Sequence, residues 1–311
     1  MLKGLALTPP VIGRIAIGRV VEKAGRRLPE KDDEFTLTSQ VQGHEGWVRH
    51  PLDAALRKDA GAKLRSIPVQ LVFGAPELNL RASYTLFDRN TGRPWCVGDG
   101  ERCKRATDEG IESLPCPTPA ACPLGREGRC KPYGRLHVRV VAPQADTAED
   151  DGLGTFVFRT TGFNSIRTLA ARLGYFKAVS GGMLASLPLS LRLRGKSTTL
   201  SHRTPIYYVD LTTPAGISLE HAIAQATEND DRRKQLGFDQ WALDEAAREG
   251  YAAGAFEESE EEGVGVVEEF YPDNTMASVS HDEHRGAVTG IQAKLERRVQ
   301  RIHGETKSPP S

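Results

Sequence analysis

The chain has 311 residues, enough for one large domain or two ordinary ones around a continuous core. Its apolar fraction of 39% fits a folded protein, and no apolar stretch reaches the ~18 residues of a spanning helix. Acidic and basic groups number 41 each, but residues 1–210 hold 31 Lys and Arg against 21 Asp and Glu, while 211–311 hold 10 against 20. The first part would attract polyanions; the second would repel or mimic them.

In chain order, the opening MLKGLALTPPVIGR lacks the small-residue cleavage pattern of a signal peptide, so a soluble cytoplasmic protein is expected. A strand, VIGRIAIGRVV, leads through a charged loop, EKAGRRLPEKDDE, to a second strand, FTLTSQV. A short helix is expected after Pro51, then strands in IPVQLVFG and NLRASYTLF, with Asn90-Thr91-Gly92 turning a hairpin into RPWCVG. The strand GRLHVRVVA alternates Leu136, Val138 and Val140 with Arg135, His137 and Arg139. An acidic loop at 145–152 precedes the strand GTFVFRTTG.

The clearest helix is FNSIRTLAARLGYFKAVSG. Asn164 or Ser165 can cap it, Ile166, Leu169, Ala170, Leu173 and Phe176 form its apolar stripe, and Gly181 and Gly182 end it. LPLSLRLRGKSTT alternates leucines with Ser190, Arg192 and Arg194, and PIYYVDLT is expected to pair back on it. Helical segments follow at 218–235 and 239–253. EESEEEGVGVVEE then reads as a solvated acidic linker. A last helix over 285–303 carries Val288, Ile291, Leu295, Val299 and Ile302 between basic residues, suited to docking on a partner or on the parent domain.

All five cysteines fall between Cys96 and Cys130, with six, twelve, five and seven residues in the gaps. A cytoplasmic chain and an odd count both disfavour disulfides. The segment is rich in Gly and Pro and lacks a core of its own, which a thiolate-bound zinc would replace with cross-links. Cys103, Cys116, Cys122 and Cys130 are the expected ligands, and Cys96, next to Trp95 at a strand end, reads as a plain buried thiol. Four thiolates leave no open position, so the ion would be structural.

Gly195-Lys196-Ser197 imitates the end of a phosphate-binding loop, but Ser190 stands where that loop needs glycine, and another strand follows in place of a helix. The same segment suits nucleic-acid phosphates: Arg192, Arg194, Lys196, His202 and Arg203, with Arg167 and Arg172 on the nearby helix, can form a basic stripe. The competing reading is a solvated sheet face. His44 with His50, and His281 with His284, lack the spacing of a zinc peptidase and read as loop histidines.

The VGDGE turn, the cysteine loop, CKPYGRL, LGTFVFRTTGFNSIRTLAARL and the leucine strand together resemble the phage recombination directionality factors that accompany large serine integrases. They resemble more closely a group from integrative and conjugative elements often labelled "hydrolase or metal-binding protein", over most of residues 11–270. The likeness to the phage factors is strongest over about 95–210, and their cysteine loop is spaced differently. Gly98, Asp99 and Gly100, the loop cysteines and TGFNSIR are the positions that match. The resemblance implies a non-enzymatic accessory that binds a serine integrase-like recombinase on DNA and switches it from insertion to excision. Two alternatives stay open: a single-strand DNA binding or annealing helper, and a metal-dependent hydrolase, which a cysteine-only site disfavours.

The expected fold is α+β, a largely antiparallel sheet with packed helices and an inserted zinc loop at 96–130. A core domain over 1–255 would precede an acidic linker at 256–284 and a basic helix and polar tail at 285–311.

Overall fold

The alternation in GRLHVRVVA builds the centre of a large sheet. In the computed structural model, which describes residues 9–23, 26–43, 46–59, 61–141, 154–197, 199, 205–253, 266, 267 and 270, this segment is β9 (Lys131–Val140). It runs antiparallel between β10 (Thr155–Thr160) and β5 (Leu80–Phe87), with Leu136 and Val138 wholly buried. β1 (Val11–Lys23) joins β10 in parallel, and β2 (Arg26–Gly43) and β3 (Gly46–Arg49) extend that side. Beyond β5 come β6 (Pro94–Gly98), β7 (Arg102–Thr107) and β8 (Gly110–Pro115), giving the order β3-β2-β1-β10-β9-β5-β6-β7-β8. β4 (Ser66–Gln70) bridges β9 to β11 (Leu189–Lys196), which pairs in turn with β12 (Ile206–Thr212). The fold is therefore α+β with a mostly antiparallel sheet.

Two segments expected to be loops are strands. The charged stretch after Val21 continues the β1–β2 hairpin out to Lys23 opposite Arg26, because a two-stranded arm satisfies its backbone whatever its side chains. Likewise β7 and β8 pair from Arg102–Pro115 to Thr107–Gly110 inside the cysteine segment.

Six helices accompany the strands among the described residues: α1 (Pro51–Ala55), α2 (Pro76–Asn79), α3 (Thr118–Ala121), α4 (Phe163–Val179), α5 (Leu219–Gln235) and α6 (Gln240–Ala253). Ile166, Leu169, Leu173 and Phe176 of α4 are buried as the spacing predicts, whereas Ala170 is exposed. Leu169, Leu173 and Phe176 share the main core with Phe35, Leu37, Leu136, Phe158, Leu189 and Leu191, and each such side chain contributes roughly 1.5–3 kcal/mol. Neither Asn164 nor Ser165 caps α4. Gly162 holds that position, while Ser165 Oγ accepts from the Val209 N–H at 3.1 Å and Asn164 Oδ1 from Lys196 Nζ at 2.8 Å. Both side chains tie the helix to the β11–β12 hairpin instead. His50 is no idle loop histidine either: its Nδ1 accepts from the Leu52 N–H at 3.2 Å and caps α1.

Met1–Phe270 form one compact unit, in which Val266 and Phe270 are each only 1% exposed. Residues 271–311, including the helix expected at 285–303, lie outside the described residues, as does most of the acidic stretch before them.

Candidate functional site

The GDG turn shapes the entry to the cysteine segment. Asp99 Oδ1 accepts from the N–H groups of Glu101 and Arg102, both at 2.8 Å, and these bonds hold its carboxyl below the usual range. Gly100 follows at φ 105°, where a side chain would be strained. The turn sends β7 back beside β6. A Cβ on Gly98 would come within 2.8 Å of both Cys103 Cβ and Cys116 Sγ, so glycine lets the two strands close over the thiols.

Cys96, Cys103, Cys116, Cys122 and Cys130 all line one cavity with Tyr84, Leu86, Arg105 and Leu124. Its volume of ≈ 20 Å³ admits a water-sized species and no organic ligand. Cys116 is placed by its N–H on the Glu101 carbonyl at 2.9 Å, and Cys122 by its own on the Thr118 carbonyl at 3.0 Å. The four expected ligands thus meet, and Cys96 meets them too, half-buried on β6. Burial, with Cys96 alongside, pushes the Cys103 thiol up to about 11, and burial pushes Cys130 up to about 12. Cys96 is paired with Arg105 across β6 and β7, and Cys103 Sγ reaches the Pro115 carbonyl at 3.7 Å.

An all-thiol donor set of this size suits a zinc ion in its chemistry. Among the described residues no three His, Cys, Asp or Glu side chains are arranged to hold an ion.

The basic stripe is only partly assembled. Arg172 on α4 donates through Nε to Asp210 Oδ1 at 3.0 Å, and Arg194 on β11 donates to Oδ2 at 3.3 Å. Asp210 is 4% exposed, so both guanidiniums are tethered by a buried carboxylate that charge patterning did not single out. Its only signal in the sequence was its place in PIYYVDLT, which the structure sets opposite Arg192 of the partner strand. Lys196 is held by Asn164, and Arg167 and Arg192 are exposed. Arg203 and His202 lie outside the described residues. Gly195-Lys196 sits in strand β11 opposite Tyr207 and Ile206, which is no phosphate-binding turn.

These elements lie inside one recognisable stretch. The family model described as Gp3-like, recombination directionality factor-like, matches residues 12–214, 203 of the 311. The chain belongs to the recombination directionality factor-like family. No curated protein and no solved structure matches it. The directionality factor-like region takes in all five cysteines, the GDG turn, α4 and the whole β11–β12 hairpin. It stops before α5, α6 and the glutamate-rich stretch. No described helix is long and apolar enough to cross a membrane.

Proposed function

We propose that this directionality factor-like protein is a non-enzymatic accessory of a mobile element that sets the direction of a site-specific recombinase, of the serine integrase type. The observation that carries the reading is the family match across residues 12–214. The partner surface would be protein, with DNA phosphates reached from the β11–β12 hairpin through Arg192, Arg194 and Lys196. A structural zinc held by four cysteine thiolates would cross-link β7 to the 116–130 segment, which has no core of its own. Supporting a structural ion is the donor chemistry: four thiolates fill a tetrahedral shell, and hydrolysis needs a position left open.

An accessory and an enzyme differ in stoichiometry. Titrating the protein into a fixed amount of the element's recombinase on DNA should give an effect that saturates near molar equivalence. A full effect at a hundredth of that amount would mark turnover and end the non-enzymatic reading.

A further inference from the structure

The sheet ends on β8, which among the described residues pairs with β7 alone. Gly110, Ile111, Glu112 and Ser113 are all exposed along it. The open side of an edge strand is a row of backbone donors and acceptors, a template for one more strand. Which groups face outward follows from the hairpin's register. The Cys116 N–H bonds the Glu101 carbonyl at 2.9 Å, and pairs that exchange hydrogen bonds recur at every second residue from there. Cys103–Leu114, Arg105–Glu112 and Thr107–Gly110 are therefore the bonded pairs. Ile111 and Ser113 turn their N–H and C=O groups to the open side.

The side chains define which strand fits there. On one face Trp95 donates through Nε1 to the Ala106 carbonyl at 2.8 Å, and Ala106 stands opposite Ile111. Ile111 is 61% exposed, so an apolar row crosses β6, β7 and β8 and ends at the edge. On the other face Arg105 stands opposite Glu112, whose carboxylate the Thr107 hydroxyl reaches at 3.4 Å. A strand laid against β8 meets apolar surface at Ile111 and negative charge at Glu112.

A second copy of this chain fits the edge poorly. Identical strands pair antiparallel about a two-fold axis, and satisfying both outward residues sets Ile111 of each copy against Ser113 of the other. That register centres on Glu112 and puts two carboxylates directly opposite, which is destabilising. Centring on Ser113 sets Ile111 against Pro115, which has no N–H to give. Centring on Ile111 sets Ser113 against Glu109, which belongs to the turn.

We propose that β8 is a docking edge for an extended segment of another protein, one with Lys or Arg opposite Glu112 between two aliphatic residues. Backbone bonds at Ile111 and Ser113 supply the attachment, and Glu112 selects the occupant while keeping like edges apart. This inference does not rest on the recombination role.

The probe is the capped peptide Ser-Thr-Val-Lys-Val-Thr-Ser, and its control has Glu in place of Lys. Titrated into the isotope-labelled full chain, the Lys peptide should shift the amide signals of 110–114 and slow hydrogen exchange at Ile111 and Ser113. It should bind about tenfold more tightly than the Glu peptide at low salt, with a smaller margin at high salt. Glu112→Lys, a change on an exposed side chain, should reverse the preference. Ser113→Pro should abolish binding, since it removes an outward donor and leaves the ladder to β7 whole. Equal binding of the two peptides, shifts confined to other surfaces, or no binding at millimolar peptide would overturn the proposal. So would a dimer of the unaltered chain that Ser113→Pro dissolves, because the edge would then hold a second copy.

Discussion

Arg172 reaches from α4 to Asp210 on β12, donating through Nε at 3.0 Å to a carboxylate that is 4% exposed. The same carboxylate accepts from Arg194 and from the Leu211 N–H, so it fastens the helix to the hairpin while neutralising part of the stripe. Asp210→Ala should cost about 2–3 kcal/mol, the worth of hydrogen bonds to a charged group. If the stripe meets phosphates, Asp210→Asn should strengthen duplex binding, and Arg192→Ala should weaken it and lower the salt slope by about one. Denaturant melts and salt titrations of a fluorescent duplex read both effects. Unchanged binding in both variants would leave the stripe as a solvated face.

Purified protein should carry one zinc per chain. Of five single Cys→Ser variants, four should lose the metal and Cys96→Ser should keep it, because Cys96 stands in strand β6 opposite Arg105, outside the loop that the ion would cross-link. Chelation should expose 96–130 to hydrogen exchange before the sheet melts, since β9 and β10 have Leu136, Val138, Phe156 and Phe158 in the core. Elemental analysis of untagged protein checks the ratio. Folded protein with five reactive thiols and no zinc would remove the ion from the description.

Truncation should separate two boundaries. A chain ending at Phe270 should melt as the full chain does, whereas one ending at 255 should melt lower. It loses Phe270 from its place beside Phe87 and Tyr133, and Val266 with it. Phe270→Ala alone should cost about 3–5 kcal/mol. Equal melting of both truncated chains would return Phe270 to the linker.

His137 should set an acid limit. Burial and three arginines hold its pKa near 3 in the folded chain, against about 6.5 unfolded. The unfolded chain therefore binds the extra proton between those values. Its contribution is present above pH 6.5 and is lost as pH falls from 6.5 toward 3, by at most about 5 kcal/mol. His137→Gln should flatten the fall in Tm across that window; an unchanged profile would place the acid sensitivity elsewhere.

Much of this was legible in one sequence. The stripe of α4, the Asn90-Thr91-Gly92 hairpin and the pairing of PIYYVDLT with the leucine strand follow from local period and turn chemistry. What stayed hidden depends on register across strands. Arg81, Arg135 and Arg159 are 54 and 24 residues apart in order, and only pairing aligns them. Asp210 reads as one more polar residue on a strand until Arg172 folds over it. The stretch around Lys23 and Arg26 reads as loop because its charges show no strand period, whereas backbone pairing makes it a hairpin arm whatever its side chains. Cys96 reads as a strand-end thiol because chain order cannot show β7 returning to its side.

The most direct measurement of the central claim uses the element's recombinase with purified attachment DNA. Product ratios are followed with and without this protein at molar equivalence. A directionality factor should suppress joining of the free sites and promote excision from the integrated junctions. Ratios unchanged in both directions, with the protein folded and present in excess, would contradict the assignment of this chain to the control of recombination.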